Sequence, residues 1–443
     1  MATRSTMWPL NARRPFLILA AALVLLPHAT SAQEAAQPTC PSPATLAAGL
    51  SRPLAHVRFL ADDALEGRLA GSPGERCAGD YIADEFRRLG LQPAGDSGTF
   101  FQIVPLASVV NPHAPTGMGR NVVAMLEGSD SELRAEAIVV GAHYDHLGWG
   151  GLGSLAPDQR AVHNGADDNA SGVAVLLEVA RLLASGPRPA RSIVFIAFTG
   201  EESGLLGSAH HVSSPAVPLE RIRAMLNMDM VGRLGDRPLI VNGRGTAQEW
   251  PRLIAEAARA ESIAVVTGED GYGPSDQTSF YARDVPVLHF FTNTHSDYHR
   301  PTDDWQSIDA AGLGRVASLV SRLAREAADQ RTVLTLVRGA GRPPAAQGGG
   351  GGGYGAYLGS IPDFSPVEHG VRITGVRAGS PAEKAGMTGG DTIIRFDSTE
   401  IADIYAFTNA LRARKPGDSV VVTVLREGRE LKLPVVLGSR GGS

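Results

Sequence analysis

The sequence of 443 residues lacks several features that mark common classes of protein. It contains only two cysteines, Cys40 and Cys77, which cannot form a zinc site by themselves. It contains neither HExxH nor GxSxG, which weakens a thermolysin-like or serine-hydrolase interpretation. It has no basic cluster, and a formal net charge of −5 makes nucleic acid a poor partner.

The apolar run Phe16–Leu26 is too short to span a bilayer comfortably. It follows Arg13 and Arg14 and precedes small residues at 30–32, which is the order of regions in a secretory signal peptide. We therefore expect residues 1–32 to be a signal peptide. The general secretory and twin-arginine routes both remain open. The mature protein would then be periplasmic or extracellular, without a membrane span.

A glycine-rich stretch divides the chain. Residues 339–353, GAGRPPAAQGGGGGG, contain a Pro-Pro pair and six consecutive glycines, which cannot pack and form a flexible linker. We predict one domain over residues 33–338 and a smaller one over residues 354–443. Both cysteines lie early in the first domain, and in an oxidising compartment we expect them to form a disulfide. Two free thiols are the alternative.

Apolar runs and helical periodicity alternate along the larger domain. Such alternation predicts an α/β fold with a mostly parallel sheet sandwiched by helices. Strands are predicted at Asn121–Leu126, Ala137–Gly141, Ser192–Phe198, Arg223–Asn227, Leu239–Val241 and Val285–Phe291. Helices are predicted at Cys77–Leu89, Gly172–Ala184, Trp250–Ala260 and Ile308–Ala328.

Acids and histidines follow these strands at the edge of the sheet where ligands bind in such folds. Each alone has a structural explanation, such as capping of the following helix by an aspartate. The adjacent Glu201 and Glu202 are harder to explain, because burying either one without a cation or hydrogen-bond partner costs several kcal/mol. Mixed histidine and carboxylate ligands suit a two-zinc site. The candidates are His143, Asp145, Asp167, Asp168, Glu201, Glu202, Asp229, His295 and His299.

Six motifs in a fixed order resemble the secreted zinc aminopeptidases of metallopeptidase family twenty-eight, the group of bacterial leucyl aminopeptidases and aminopeptidase Y. They are GAHYDH, GADDNASG, FTGEESGLLGS, NMDMVG, SDQTSFY and DYHRPTDD. The resemblance covers roughly residues 50–330 and implies the fold of zinc-dependent exopeptidases, which is phosphorylase/hydrolase-like.

The resemblance implies two zinc ions per chain, bridged by Asp168. His143 and Asp229 would complete the ligands of one ion, and Glu202 and His299 those of the other. The peptide bond that follows Asp168 would be cis.

The resemblance also implies roles for residues around the metals. Glu201 would be the general base for a water held between the two ions, and Tyr298 would steady the tetrahedral oxyanion. Asp145 and Asp276 would orient the two histidine ligands, the first acting on His143 and the second on His299.

Residues 354–443 resemble a PDZ domain of the kind attached to bacterial exported proteases, mainly through GSPAEKAG and the GD that follows. PDZ domains add a peptide strand to a sheet edge and capture its terminal carboxylate in a backbone nest. The loop Tyr357-Leu358-Gly359-Ser360 would do so here for a C-terminal peptide ligand. A groove that binds nothing is the alternative.

The expected function is hydrolysis of N-terminal residues from peptides with a free N-terminus. A glutaminyl cyclase of the same fold with one zinc is an alternative. So is a carboxypeptidase in which Arg233 or Arg300 binds the terminal carboxylate. A scaffold that works through its PDZ groove, with an inactive peptidase domain, is a further one.

Overall fold

The computed structural model describes residues 40–106, 116–151, 153–156, 158–339, 356–362, 367, 369–376, 379–402, 406–407, 410–411 and 413–438. The predicted signal peptide and nearly all of the predicted linker lie outside the described residues. Among the residues that are described, no helix is both long and apolar enough to cross a membrane.

Helices and strands alternate along the larger domain, as predicted. The helices are α1 (Pro43–Leu46), α2 (Arg52–Leu60), α3 (Pro73–Arg88), α4 (Gly172–Ser185), α5 (Leu206–Ser213), α6 (Trp250–Ala260), α7 (Gln277–Tyr281) and α8 (Ala310–Asp329). The strands are β1 (Gln92–Pro93), β2 (Phe101–Pro105), β3 (Met118–Leu126), β4 (Ala137–His143), β5 (Ser192–Phe198), β6 (Ile222–Met228), β7 (Leu239–Asn242), β8 (Val265–Thr267) and β9 (Val287–Phe291).

These strands form one sheet in the order β1-β3-β5-β4-β6-β9-β7-β8, with β2 also paired to β3. The four central strands, β5, β4, β6 and β9, are parallel, which confirms the predicted fold class. The flanking pairs β3–β5 and β7–β9 are antiparallel, so the sheet is mixed towards its edges. The carboxyl ends of all four central strands therefore meet at one edge of the sheet.

Helices cover both faces of the sheet. Every residue of β5 is buried, as expected for a strand enclosed on two sides. Phe195 packs into the larger core with α2, α3, α4, α6 and α8, whereas Phe198 packs into a smaller core with α5 and α7. The apolar character of the whole strand thus follows from its position between two helical layers.

The N-terminal part of the domain differs from the prediction in its boundaries. Helix α3 begins at Pro73, four residues before the predicted start, because Ser72 caps it by accepting the backbone N–H of Glu75. Helix α2 was not predicted. The sulfur atoms of Cys40 and Cys77 are bonded, with their Cα atoms 5.7 Å apart.

The C-terminal region forms an antiparallel sheet with its own apolar core, which includes Ile373, Ile393, Phe396 and Val422. The sheet order is β10-β11-β12-β14-β15, with β13 paired to β12. The elements are β10 (Ser360–Pro362), β11 (Val371–Val376), α9 (Pro381–Lys384), β12 (Thr392–Phe396), β13 (Thr399–Glu400), β14 (Ser419–Arg426) and β15 (Arg429–Val436).

Candidate metal centre

The five predicted metal ligands and Glu201 meet at the carboxyl edge of the central strands. His143 is the last residue of β4, and Asp229 follows β6. Glu201 and Glu202 follow β5, Asp168 lies in the turn before α4, and His299 follows β9. All are buried or half-buried.

Asp168 lies between two sets of donor atoms. On one side, Nε2 of His143 is 3.3 Å from Oδ1 of Asp168 and 3.4 Å from Oδ1 of Asp229. On the other side, Nε2 of His299 is 3.1 Å from Oδ2 of Asp168 and 3.2 Å from Oε2 of Glu202. Each oxygen of the Asp168 carboxylate therefore belongs to a different set.

These distances fit zinc. With bonds of 2.0–2.1 Å, two ligand atoms of a tetrahedral zinc ion lie about 3.3 Å apart. The four donor–donor distances around Asp168 run from 3.1 to 3.4 Å. Mixed histidine and carboxylate donors are also the ligand chemistry of zinc. Each set thus has the composition of three zinc ligands, with its histidine at ligand spacing from both of its carboxylates.

Asp303 fixes the Asp168 turn. Its Oδ2 accepts the backbone N–H groups of Asp167 and Asp168, at 2.9 and 3.1 Å. The peptide bond between Asp168 and Asn169 is cis, as the family resemblance implies.

Asp167 and His295, two of the candidates from the sequence, turn away from the metal donors and bind each other. Oδ2 of Asp167 lies 3.1 Å from Nε2 of His295. Oδ1 of Asp167 accepts the Ser171 hydroxyl and the backbone N–H of Gly232. Both residues therefore stabilise the turn that carries Asp168, on the side away from the metal donors.

The two adjacent glutamates experience different surroundings. Burial raises the pKa of Glu202, but His299 and His146 oppose it strongly and hold the value at about 2. Burial raises the pKa of Glu201 well above its ordinary value, and the neighbouring carboxylates of Glu202 and Asp229 add to this. Opposite shifts on neighbouring acids are a common mark of different chemical roles.

The histidine donors are held among acids. Burial lowers the pKa of His299, but Glu202 and Asp168 more than offset it and raise the value to about 10. Burial likewise opposes protonation of His143, whose pKa is nevertheless well above its ordinary value because of Glu201 and Asp229. Such an excess of negative charge favours a cation between the side chains.

Asp145 partly matches its expected role. Its Oδ1 is 3.7 Å from Nδ1 of His143, and its backbone oxygen is 3.3 Å from the same atom. Its Oδ1 also accepts the backbone N–H of Glu201 at 3.1 Å. Asp145 therefore lies against both a proposed ligand and the proposed base.

The expectation that Asp276 orients His299 is wrong. Nδ1 of His299 lies 2.9 Å from the backbone oxygen of Gly153, which takes the expected place of the carboxylate. Asp276 is fully buried at the start of α7, near His143 and Ser208, and burial raises its pKa to about 7. At the start of the short helix α7, Asp276 therefore lies near the other histidine ligand, His143.

A cavity of about 450 Å³ opens onto both donor sets. Its described lining contains no Lys or Arg, but six carboxylates: Asp168, Glu201, Glu202, Asp229, Glu269 and Asp270. Apolar and aromatic walls come from Met230, Tyr272, His289 and Phe291. Tyr298 also lines the cavity and stacks on the His299 ring, with centroids 3.9 Å apart.

Four residues of the C-terminal region, Val367, Gly370, Val371 and Ala402, line the same cavity. The predicted carboxylate loop lies elsewhere in that region. Leu358 is buried, and its backbone oxygen accepts the N–H of Ala382 in α9. Gly359 has φ of +85° and lies so close to Ser380 that an added Cβ would be 2.3 Å from the serine Cβ.

His146 is a site residue that the sequence interpretation missed. It is fully buried, and its Nδ1 lies 2.8 Å from Oε1 of Glu202. His146, Asp168 and Glu202 are also close enough together to hold a metal ion. The signal was present in GAHYDHLG, where a second histidine follows His143 by three residues.

Comparison with known proteins agrees with this geometry. Residues 121–324 match peptidase family M28, and residues 358–437 match the PDZ domain family. An uncharacterized Escherichia coli protein, YfbL, is 30% identical over 243 residues, which cover 47% of this chain and 71% of YfbL.

The chain belongs to peptidase family M28.

Two other proteins indicate how far the likeness extends. Aminopeptidase YwaD of Bacillus subtilis is 32% identical over 205 residues, which cover 43% of this chain and 41% of YwaD. The chain thus spans less than half of that relative. The structure of Porphyromonas gingivalis glutaminyl cyclase superimposes with a TM-score of 0.51 at 21% identity, over 62% of this chain and 97% of the cyclase. That likeness concerns the fold, which both activities share.

Proposed function

We propose that this M28 protein is an exported zinc-dependent aminopeptidase. The observation that carries the proposal is the cavity lining: besides the proposed metal ligands and base, whose charges the ions would offset, its described residues include two more carboxylates, Glu269 and Asp270, and no Lys or Arg. A free α-ammonium group is the end of a peptide that such a cavity attracts. A terminal carboxylate would be repelled.

The positions of the arginines weaken the carboxypeptidase alternative. Nη2 of Arg233 lies 3.1 Å from Oδ1 of Asp303 and 3.3 Å from Oδ2 of Asp297. Neither Arg233 nor Arg300 belongs to the described lining of the cavity. A carboxypeptidase needs a cation that faces the substrate.

The two donor sets support two zinc ions per chain. His143, Asp168 and Asp229 would hold one, and Asp168, Glu202 and His299 the other. When bound, the ions would polarise the scissile carbonyl and lower the pKa of an attacking water. A single-zinc cyclase has no need for a second set with matching distances.

The protein side chains would perform the proton transfers and the positioning. Glu201 would take the proton of the attacking water and return it to the leaving amine. Its burial suits this role, because a raised pKa makes a carboxylate a better base near neutral pH. Tyr298, at the cavity wall, would donate a hydrogen bond to the oxygen of the tetrahedral species. Carboxylates that do not bind metal, such as Asp270, would receive the α-amine.

The remaining parts of the proposal concern the whole chain. Residues 1–32 would be cleaved on export, residues 33–338 form the peptidase domain, and residues 339–353 link it to a PDZ domain at 354–443. The Cys40–Cys77 disulfide supports an oxidising periplasmic or extracellular location. The PDZ loop Tyr357–Ser360 would bind a C-terminal peptide.

The test combines metal analysis with a panel of substrates. We expect about two zinc ions per chain, cleavage of aminoacyl p-nitroanilides, and no cleavage of the N-acetylated forms. Equal rates on acetylated and free substrates would refute the aminopeptidase. One zinc per chain with cyclisation of N-terminal glutamine would identify a cyclase. No hydrolysis by zinc-loaded protein would favour the scaffold.

A further inference from the structure

His146 lies behind the proposed zinc ligand Glu202. It follows β4 by three residues and is completely buried. Its Nδ1 lies 2.8 Å from Oε1 of Glu202, while Oε2 of the same carboxylate faces Nε2 of His299 at 3.2 Å. One oxygen of Glu202 thus contacts His146, and the other belongs to the second donor set.

The contact between His146 and Glu202 determines which ring nitrogen of His146 carries the hydrogen. An ionised carboxylate only accepts hydrogen bonds, so Nδ1 of His146 carries the hydrogen and donates it to Glu202. Nε2 of His146 has no hydrogen-bond partner among the described residues. The ring is therefore committed to one bond, and that bond points at the metal ligand.

The backbone and a glycine hold the ring in place. The backbone N–H of His146 donates to the carbonyl of Arg68. Gly165 lies so close that an added Cβ would be 2.5 Å from Cγ of the imidazole, and its φ of +54° also favours glycine. The imidazole therefore packs directly against the backbone at Gly165.

The distances argue against His146 as a zinc ligand. Its Nδ1 is 2.8 Å from Glu202 and 3.9 Å from Oδ2 of Asp168. The first value is a hydrogen bond, and neither matches the spacing of about 3.3 Å between ligands of tetrahedral zinc. His299 satisfies that spacing to both acids.

We propose that His146 is a positioning residue, which holds the Glu202 carboxylate so that only Oε2 faces the second metal. The inference rests on the proposed zinc centre. Without the hydrogen bond, Glu202 is free to rotate away from the ion and would have to be ordered on binding, so the affinity of that site falls. Partners that orient metal ligands in this way typically contribute about 10- to 100-fold to metal affinity.

The experiment compares His146→Ala with His146→Asn in the full chain. Zinc affinity is measured by competition with a chromophoric chelator, and the visible spectrum is recorded after cobalt substitution. His146→Ala should weaken one of the two zinc sites about 10- to 100-fold and change the cobalt spectrum. His146→Asn should restore most of the affinity, because its side-chain N–H can replace Nδ1–H.

His211→Ala is the matched control. His211 is equally buried, its Nδ1 lies 2.9 Å from Oε1 of Gln102, and its Nε2 also has no partner among the described residues. It lies outside the described cavity lining. Its loss should lower the melting temperature without changing zinc affinity.

Three results would overturn the proposal. Wild-type affinity at both sites in His146→Ala would remove any role for the residue. Complete loss of one zinc in both His146 variants, as in His299→Ala, would make it a ligand. An equal loss of affinity in His211→Ala would assign the effect to general destabilisation. Because zinc binding is measured without substrate, an enzyme inactive on all peptides would refute the proposed function and leave this inference standing.

Discussion

Exchanging each of the two adjacent glutamates for glutamine separates their roles. The substitution keeps the shape of the side chain and removes its charge and basicity. Oε2 of Glu202 lies 3.2 Å from His299, within ligand spacing, whereas Oε2 of Glu201 lies 3.9 Å from His143, beyond it. We therefore expect Glu202 to contact the metal and Glu201 to face the water.

Glu201→Gln should keep both zinc ions and lose most of its turnover. Removing a general base costs about 10²- to 10⁴-fold in kcat, which corresponds to about 3–5 kcal/mol of barrier. Glu202→Gln should instead weaken one zinc site, because a neutral amide replaces a charged ligand. Activity restored by added zinc would then distinguish Glu202→Gln from Glu201→Gln.

The assay measures zinc per chain after gel filtration, together with kcat on an aminoacyl p-nitroanilide. If Glu201→Gln loses a metal while Glu202→Gln keeps both, the two roles are reversed. If both variants keep both ions and lose kcat equally, neither residue is a ligand and the tetrahedral spacing has been misread.

Three further predictions concern the rest of the chain. Burial raises the pKa of Glu75 from 4.5 to about 7. Because the unfolded chain already releases this proton above pH 4.5, the folded state loses about 3 kcal/mol of stability as pH rises from 4.5 to 7. Glu75→Gln should therefore gain stability relative to wild type over that range in urea titrations, and a pH-independent difference would contradict this. Deleting residues 339–443 should preserve the zinc content and the turnover of small substrates. It should speed the cleavage of longer peptides, because the deletion removes one wall of the cavity. Loss of zinc from the shortened protein would contradict this prediction. Replacing Cys40 and Cys77 by serine removes a disulfide between residues with a sequence separation of 37. This should lower the free energy of unfolding by about 4 kcal/mol. Coincident urea unfolding curves for the variant and the wild type would contradict the prediction.

The sequence was informative where a single local pattern determines the structure. Strand β5 and helix α6 have their predicted boundaries, since one is continuously apolar and the other strongly periodic. The polar residues at the strand ends could be grouped because parallel strands share one carboxyl edge. The distances that distinguish Glu202, the proposed ligand, from Glu201, the proposed base, could not be predicted from the sequence, because they depend on the directions of the side chains.

The errors arose where tertiary contacts decide. Asp276 was assigned to His299 by the family resemblance, but the start of helix α7 places it near His143 and Ser208 instead. The antiparallel pairing of β3 and β7 was not predicted, because the apolar pattern of a strand does not specify the direction of its neighbour. A cavity wall from the C-terminal region could not be foreseen, because the linker sequence does not specify where that region docks.

The register of two parallel strands explains how adjacent acids come to have different chemistry. β4 and β5 pair in register up to His143 and Phe198, and the pairing extends to a hydrogen bond from Tyr144 N–H to the Phe198 carbonyl. Asp145 and His146, the second and third residues after β4, therefore lie beside the segment after β5. Asp145 accepts the backbone N–H of Glu201, and His146 contacts the carboxylate of Glu202.

Each glutamate thus has its own partner from the same short segment after β4. The contact with Asp145 fixes the backbone of Glu201 and leaves its carboxylate free to move a proton. The contact with His146 fixes the carboxylate of Glu202 itself, as a metal ligand requires. A one-residue shift of β4 against β5 would bring Tyr144 or His146 beside Glu201, and Asp145 or Leu147 beside Glu202, so neither glutamate would keep its partner. The register of two buried strands therefore sets the surroundings of the proposed ligand and of the proposed base.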